Sequence, residues 1–348
     1  MPMTRRTILG AASAISLGMT MHEAKAQMKS LKLLLNTSLS GPVSFFLLAH
    51  ARDYLREEGL SVAFSGGGGA AVVVPQVRHG SYDVGYGDIT ALIERIARGK
   101  PNEGPVAVYT TFNTVPFTIA VPANSPLRTP KDFEGRTIVG HAMDAALITF
   151  DMLASAAGAD ASKVRIDRAS SSMGSQVADM LAGRGADGVF GFVNTIIASV
   201  APMGITAKDL HFINYADYLA DMYGNTLFVT RELYRSSPKA ITGMVRAFNR
   251  ALRDTVADPN VAIDALQAAS PSIRRDVDYV RLVGTLKSEM AHPEGAKLGI
   301  GEMDDARLKR LIALIVKVKH LPRTPDLREV FDRSFLPPLA ERVRTLAQ

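Results

Sequence analysis

Cysteine and tryptophan are both absent from this chain of 348 residues, and aromatic residues make up only 7% of it. Without a thiol there is no disulfide framework, no thiolate metal site, no iron–sulfur cluster and no cysteine nucleophile. An N-terminal cysteine for lipid attachment is missing as well. No run beyond the N-terminus reaches the 18 apolar residues that mark a membrane-spanning helix. Lys and Arg outnumber Asp and Glu, 40 to 34, but the two signs are interleaved and form no phosphate-tracking stretch. Nucleic acid is therefore not an expected partner. His50, His79, His141, His211, His292 and His320 are never three or four residues apart, so a helical zinc pair is lacking and no metal is expected. No Gly-x-Ser-x-Gly elbow occurs, and Ser170-Ser171-Ser172 reads as a polar loop before a helix. Neither catalytic residues nor a cofactor are expected.

What is present begins with an address. Arg5 and Arg6 precede a mildly apolar stretch over 8–21, and Ala24-Lys25-Ala26 offers small residues at cleavage positions. The stretch is shorter than the roughly 20 residues that cross a bilayer. It reads as an export signal of the twin-arginine kind, although an arginine pair also suits the general pathway. Cleavage after Ala26 would release a soluble protein, not lipid-anchored, into a periplasm. Arg5, Arg6 and Lys25 against Glu23 leave with the signal, so the formal charge of +6 falls to about +4.

After the signal, short apolar runs at 31–35, 60–64, 84–87, 106–110 and 117–121 alternate with helical spacing at 45–58, 72–78 and 89–97. This is βαβ alternation, an α/β class with mostly parallel sheets flanked by helices. A punctuated stretch at 122–130 is followed by a second unit, with strands at 137–139, 164–167 and 188–190 and helices at 147–157 and 176–182. From about Tyr223 the pattern turns helical, at 238–256, 260–267, 276–289 and 304–318. The expected organisation is a signal at 1–26, a first lobe beginning at 27–120, a second lobe at 121–222, and a return to the first lobe over 223–348.

In open α/β sheets ligands bind outside the carboxyl ends of the strands, so the loops there supply the candidate site. They are Ser38 and Ser40 after the first strand, Gly67 and Gly68 after the second, and Asp88 and Thr90 after the third. The second unit adds Asp144, Phe192 and Asn194, then Tyr215, Tyr218 and Tyr223 near its exit. Aromatic faces with a few hydrogen-bonding groups suit a flat organic solute. The run Gly66 to Gly69 lacks the Lys-Ser/Thr ending of a phosphate loop and reads as a place where backbone approaches a ligand or the opposite lobe.

Three stretches carry a family resemblance: Lys131-Asp132-Phe133-Glu134-Gly135-Arg136-Thr137-Ile138, then Gly191-Phe192-Val193-Asn194, then Tyr215-Ala216-Asp217-Tyr218 through Tyr223-Gly224-Asn225. The chain resembles the solute-binding proteins of ABC importers, in the branch shared by thiamine-pyrimidine-precursor and alkanesulfonate binding proteins. The resemblance implies a two-lobed periplasmic binding protein fold of type II with two hinge crossovers. It also implies a monomer that captures a small-molecule solute by lobe closure and delivers it to an inner-membrane ABC permease with its ATPase. Relatives commonly carry Asp-His after the first strand, where this chain has Ser40-Gly41, and a Glu after the Asn matching Asn194, where it has Thr195. Those departures turn the expected solute from a thiamine precursor toward an aromatic acid, a sulfonate or another small heterocycle. A ligand-sensing accessory protein of a sensor kinase would use the same cleft. The family's fungal pyrimidine synthase is associated with a cysteine-rich iron motif, which a chain without cysteine lacks.

Replacing both Arg5 and Arg6 by Lys is expected to stop export by the twin-arginine route. Fractionation of expressing cells checks this, and normal periplasmic accumulation of the double variant would refute it.

Overall fold

The computed structural model describes residues 28–67 and 69–344, so the proposed signal and Gly68 lie outside the described residues. Ten strands are described there: β1 (Lys29–Leu35), β2 (Leu60–Ser65), β3 (Val84–Asp88), β4 (Val106–Thr110), β5 (Phe117–Pro122), β6 (Thr137–Gly140), β7 (Arg165–Arg168), β8 (Gly188–Phe192), β9 (Leu210–Asn214) and β10 (Asn225–Val229). They form two five-stranded sheets, ordered β2-β1-β3-β10-β4 and β7-β6-β8-β5-β9. In each sheet one strand opposes the other four: β10 pairs antiparallel with β3 and β4, and β5 pairs antiparallel with β8 and β9. Both opposed strands directly follow a chain crossing between the sheets, the first over 111–116 and the second over 215–224.

Strands β3 and β10, and β4 at the sheet edge, are buried along their whole length, which requires cover on both faces. Helices supply it. In the helix Ile89–Ala97, residues Ile89, Leu92, Ile93 and Ile96 fall on one stripe and are all buried. Its N-terminus is closed by Asp88, whose carboxylate accepts from the Ala91 N–H at 3.1 Å. The helix expected over 45–58 is instead two, Ser44–Ala51 and Tyr54–Glu57, because Asp53 takes a left-handed φ of 58° between them. The return segment, expected to be predominantly helical, also contains β10, inserted between β3 and β4 of the first sheet.

Apolar packing is arranged in three clusters. One joins the first sheet to the helices Ser44–Ala51, Pro238–Ala257 and Pro259–Ala269. A smaller one lies within the second sheet's half, around Val139, Val177 and Val189. The third is shared: Ile89 and Ile93 of the first half and Phe150 and Leu153 of the second pack in one cluster with Leu308, Leu311, Ile312 and Ile315. The helix Asp305–Val318, which carries those last four residues, thus lies against both halves.

At the start of that helix Arg307 ties the two crossings together. Its guanidinium donates to the Asn113 carbonyl of the first crossing at 2.7 Å, and to the Met222 and Asp221 carbonyls of the second at 2.7 and 3.2 Å. A fourth bond, 2.9 Å, goes to the Glu294 carboxylate, and Cζ lies 3.8 Å from the centroid of the Tyr223 ring. The side chain is only 6% exposed. A buried guanidinium is tolerable only when its donors are matched, and here four of its five N–H groups are.

Arg307→Met leaves the Glu294 carboxylate, 14% exposed, without its guanidinium and three carbonyls without a donor, so it is expected to lower stability by about 3–5 kcal/mol. Urea denaturation of wild type and variant measures this; a loss below 1 kcal/mol would show that the crossings hold without it.

Candidate functional site

A cavity of about 130 Å³ opens where the ends of β1, β6 and β8 face one another across the two sheets. From the first half come Asn36 and Thr37, just past β1, Phe112 from the first crossing and Asn225, the first residue of β10. From the second come Met143 and Asp144, past β6, and Phe192, the last residue of β8. A third wall is the helix Arg275–Thr285 with the π-helical turn Leu286–Met290, which bring Arg281, Thr285 and Glu289 to the cavity.

That third wall is docked onto both halves. The Gly41 N–H donates to the Asp278 carboxylate at 2.8 Å on the first-half side. On the other, Gly284 lets the helix approach Asn194 so closely that a Cβ there would stand 2.3 Å from Asn194 Oδ1. Asn194 Nδ2 donates to Ser288 Oγ at 3.0 Å and to Glu289 Oε1 at 2.9 Å, and Arg281 Nη2 donates to Thr195 Oγ1 at 2.8 Å. The walls also touch directly, since Gly69, at φ 122°, would bring a Cβ to 2.9 Å from the Met143 carbonyl oxygen. The glycine run is therefore a place where opposite halves meet at backbone distance.

Four polar atoms lining this cavity are buried and have no hydrogen-bond partner among the described residues: Asn36 Oδ1, Asn225 Oδ1, Thr285 Oγ1 and Arg281 Nε. Buried polar groups are almost always paired, and each orphan costs about 1–3 kcal/mol. Burial lowers the Arg281 pKa, opposed by Glu289 and Asp278, yet a guanidinium stays charged. Burial raises the Glu289 carboxyl, with the Asn194 amide pulling the other way. Asp144 caps the helix Ala145–Ile148, accepting from the Ala146 N–H at 2.8 Å, and burial still pushes it up to about 6.

Of the residues expected from strand ends, Phe192 and Asp144 line the cavity and Asn194 orients Glu289 behind it. Gly67 donates to the Thr37 carbonyl and holds the neighbouring loop, while Gly68 lies outside the described residues. Ser38 is exposed, and the buried Ser40 donates to its carbonyl at 3.1 Å. The tyrosines stand elsewhere. Tyr215 is fully buried, edge-on to Phe117, with its hydroxyl donating to the Ala146 carbonyl at 2.6 Å. Tyr218 is half-buried beside the same apolar cluster, and Tyr223 lies under Arg307 with its hydroxyl accepting from the Asp304 N–H at 2.9 Å. Rings at strand ends were expected to face a ligand; these three fill the seam between the halves, where the apolar area is needed. Asp88 and Thr90 line a second chamber, of about 230 Å³, that meets the first only at Ala145. Strand-end reasoning did not reach Asn36, Asn225, Thr285, Glu289 or Arg281. The last three come from the helical return, which no strand-end rule covers.

A family model described as NMT1/THI5 like matches residues 42–262. No curated protein sequence matches the chain. Among solved structures, the chain is similar to the alkanesulfonate-binding protein SsuA from Xanthomonas axonopodis pv. citri bound to MOPS, at 16% identity, TM-score 0.65, over 89% of this chain and 100% of that one. It is also similar to the periplasmic aliphatic sulphonate binding protein SsuA from Escherichia coli, at 15% identity, TM-score 0.62, over 88% and 94%. A third similar structure, DszB in complex with biphenyl-2-sulfinic acid, gives 12% identity, TM-score 0.58, over 90% and 99%. Identities this low establish a shared two-lobed fold and leave the chemistry to the residues.

Burial pushes Asp88 up to about 7, against the Ala91 N–H, from an ordinary 3.8. The folded chain thus keeps a proton that the unfolded chain has released, and stability falls as pH rises from about 4 to about 7. Asp88→Asn keeps the cap but removes this dependence. The melting temperature of the variant, relative to wild type, is expected to rise from pH 4 to pH 8; a constant or shrinking difference would refute it.

Proposed function

The chain belongs to the NMT1/THI5-like family, and from that premise we propose that it is the solute-binding component of an ABC importer, capturing a small organic anion between its two halves. The observation that carries the reading is the single cavity in which the Arg281 Nε–H and the Thr285 hydroxyl are left without partners among the described residues, with the unpaired Asn36 and Asn225 Oδ1 atoms placed to accept from any donor on the solute. A sulfonate or carboxylate presents acceptor oxygens to the guanidinium and to the Thr285 hydroxyl. Phe192 and Phe112 offer apolar faces to the remainder of such a solute. The size fits a small molecule, since an apolar cavity of roughly 150 Å³ holds benzene.

Mechanistically, the solute would touch residues of both halves at once only when these are close together. Binding then shifts the population toward the closed arrangement, which an inner-membrane permease recognises. The same reading places the protein in the periplasm, delivered by the signal at 1–26. No bond-making step is needed. One structural neighbour is described as a desulfurization enzyme, crystallised as a variant in which serine replaces a cysteine. This chain has no cysteine to put at such a position, which favours binding over catalysis.

Thermal-shift titration with benzenesulfonate, ethanesulfonate and benzoate tests the reading. A solute at 100 times its dissociation constant adds about 2.7 kcal/mol of stability. At least one anion is expected to raise the melting temperature of wild type, and Arg281→Gln to weaken that anion at least tenfold. No response to any of the three, or an unchanged response in Arg281→Gln, would overturn it.

A further inference from the structure

The second chamber is built differently from the first. The helices Ala70–Arg78 and Ile89–Ala97 form one side, contributing Val74, Pro75 and Ala91, and Ala145, Ile148 and Thr149 close it from the other half. These walls are mostly apolar. At its base stand Asp88, 2% exposed, and Thr90, 1% exposed. Asp88 Oδ1 is used by the Ala91 N–H, while Oδ2 and the Thr90 hydroxyl have no hydrogen bond of good geometry among the described residues, the hydroxyl lying near enough to draw the Asp88 pKa down against the effect of burial. At the rim Glu94 is held by Arg98 at 2.9 Å, and Arg95 stands two turns along the helix from Asp88.

We propose that this chamber is a second binding site, for a small organic ammonium ion that donates to Asp88 Oδ2 and Thr90 Oγ1. An unpaired buried carboxylate is among the most unfavourable groups a fold can hold, and a cation at hydrogen-bond distance relieves it. The apolar body of the ligand lies against Val74, Pro75 and Ile148. A neutral alcohol of the same shape can donate one hydrogen bond but leaves the charge uncompensated. An anion set against Asp88 Oδ2 is repelled by that carboxylate, with Arg95 and Arg98 confined to the rim. Because the burial of Asp88 brings its titration to about 7, the carboxylate form that the cation needs is dominant at pH 8. The chamber takes a ligand whose charge is opposite to that of the first cavity's proposed solute, so the two sites are chemically separate.

The test is thermal-shift and calorimetric titration of the full-length mature protein at pH 8 and constant ionic strength, with benzylammonium, benzyl alcohol and benzoate as probes. Benzylammonium is expected to raise the melting temperature and to bind at least tenfold tighter than benzyl alcohol. Asp88→Asn, which keeps the helix cap, is expected to weaken benzylammonium at least tenfold, and the isosteric Thr90→Val severalfold. Arg281→Gln, which disables the first cavity, is expected to leave the benzylammonium response intact, so the two sites stand or fall separately. The proposal is overturned if benzylammonium gives no response, if benzyl alcohol matches it, or if both Asp88→Asn and Thr90→Val bind it as wild type does.

Discussion

Arg307 is the point on which the arrangement of the halves rests. Two lengths of chain cross between the sheets, and the guanidinium holds carbonyls of both, along with a carboxylate and an aromatic face. Such a group could not be taken out of water without matched donors, because the desolvation penalty of a buried ion is several kcal/mol. Its matching fixes the relative position of residues 113, 221 and 222, and hence of the strands that leave them. The adjacent helix Asp305–Val318 extends that constraint into apolar packing on both sides.

The hinge and the cleft obey the same rule with opposite results. At the hinge the polar groups of a buried arginine are satisfied by the chain itself; at the cleft Arg281 makes one bond to Thr195 and leaves Nε unmatched. Stability is concentrated where the halves must stay together, and unmet hydrogen-bonding capacity where a solute is proposed to enter. The Arg275–Thr285 helix with the turn Leu286–Met290 reconciles the two, being anchored to the first half through Asp278 and to the second through Thr195 and Asn194.

The sequence made most strands and helices legible because their signals are local. Apolar runs at 84–87 and 117–121 and the stripe of Ile89, Leu92, Ile93 and Ile96 need no tertiary information. Strand β10 was hidden because Asn225–Val229 is buried throughout, and a short run without alternation reads equally well as helix or strand. The tyrosines misled for a related reason: a ring at a strand end serves a ligand and an inter-lobe seam equally well, and only neighbours such as Arg307 and Phe117 decide. Arg281 was not visible from local pattern at all. Nothing within a few residues of it marks a site, and its partners lie on elements some 86 residues away.

The insertion of β10 between β3 and β4 also sets a schedule for synthesis. When Thr110 has been made, the first sheet has β3 and β4 with a strand-wide gap between them, and the segment that fills it begins only at Asn225. At ordinary ribosomal rates the intervening chain takes about ten seconds to appear. Through that interval the nascent first half is an incomplete sheet with two unpaired edges, while the second sheet, whose strands are contiguous in the chain, can close on its own.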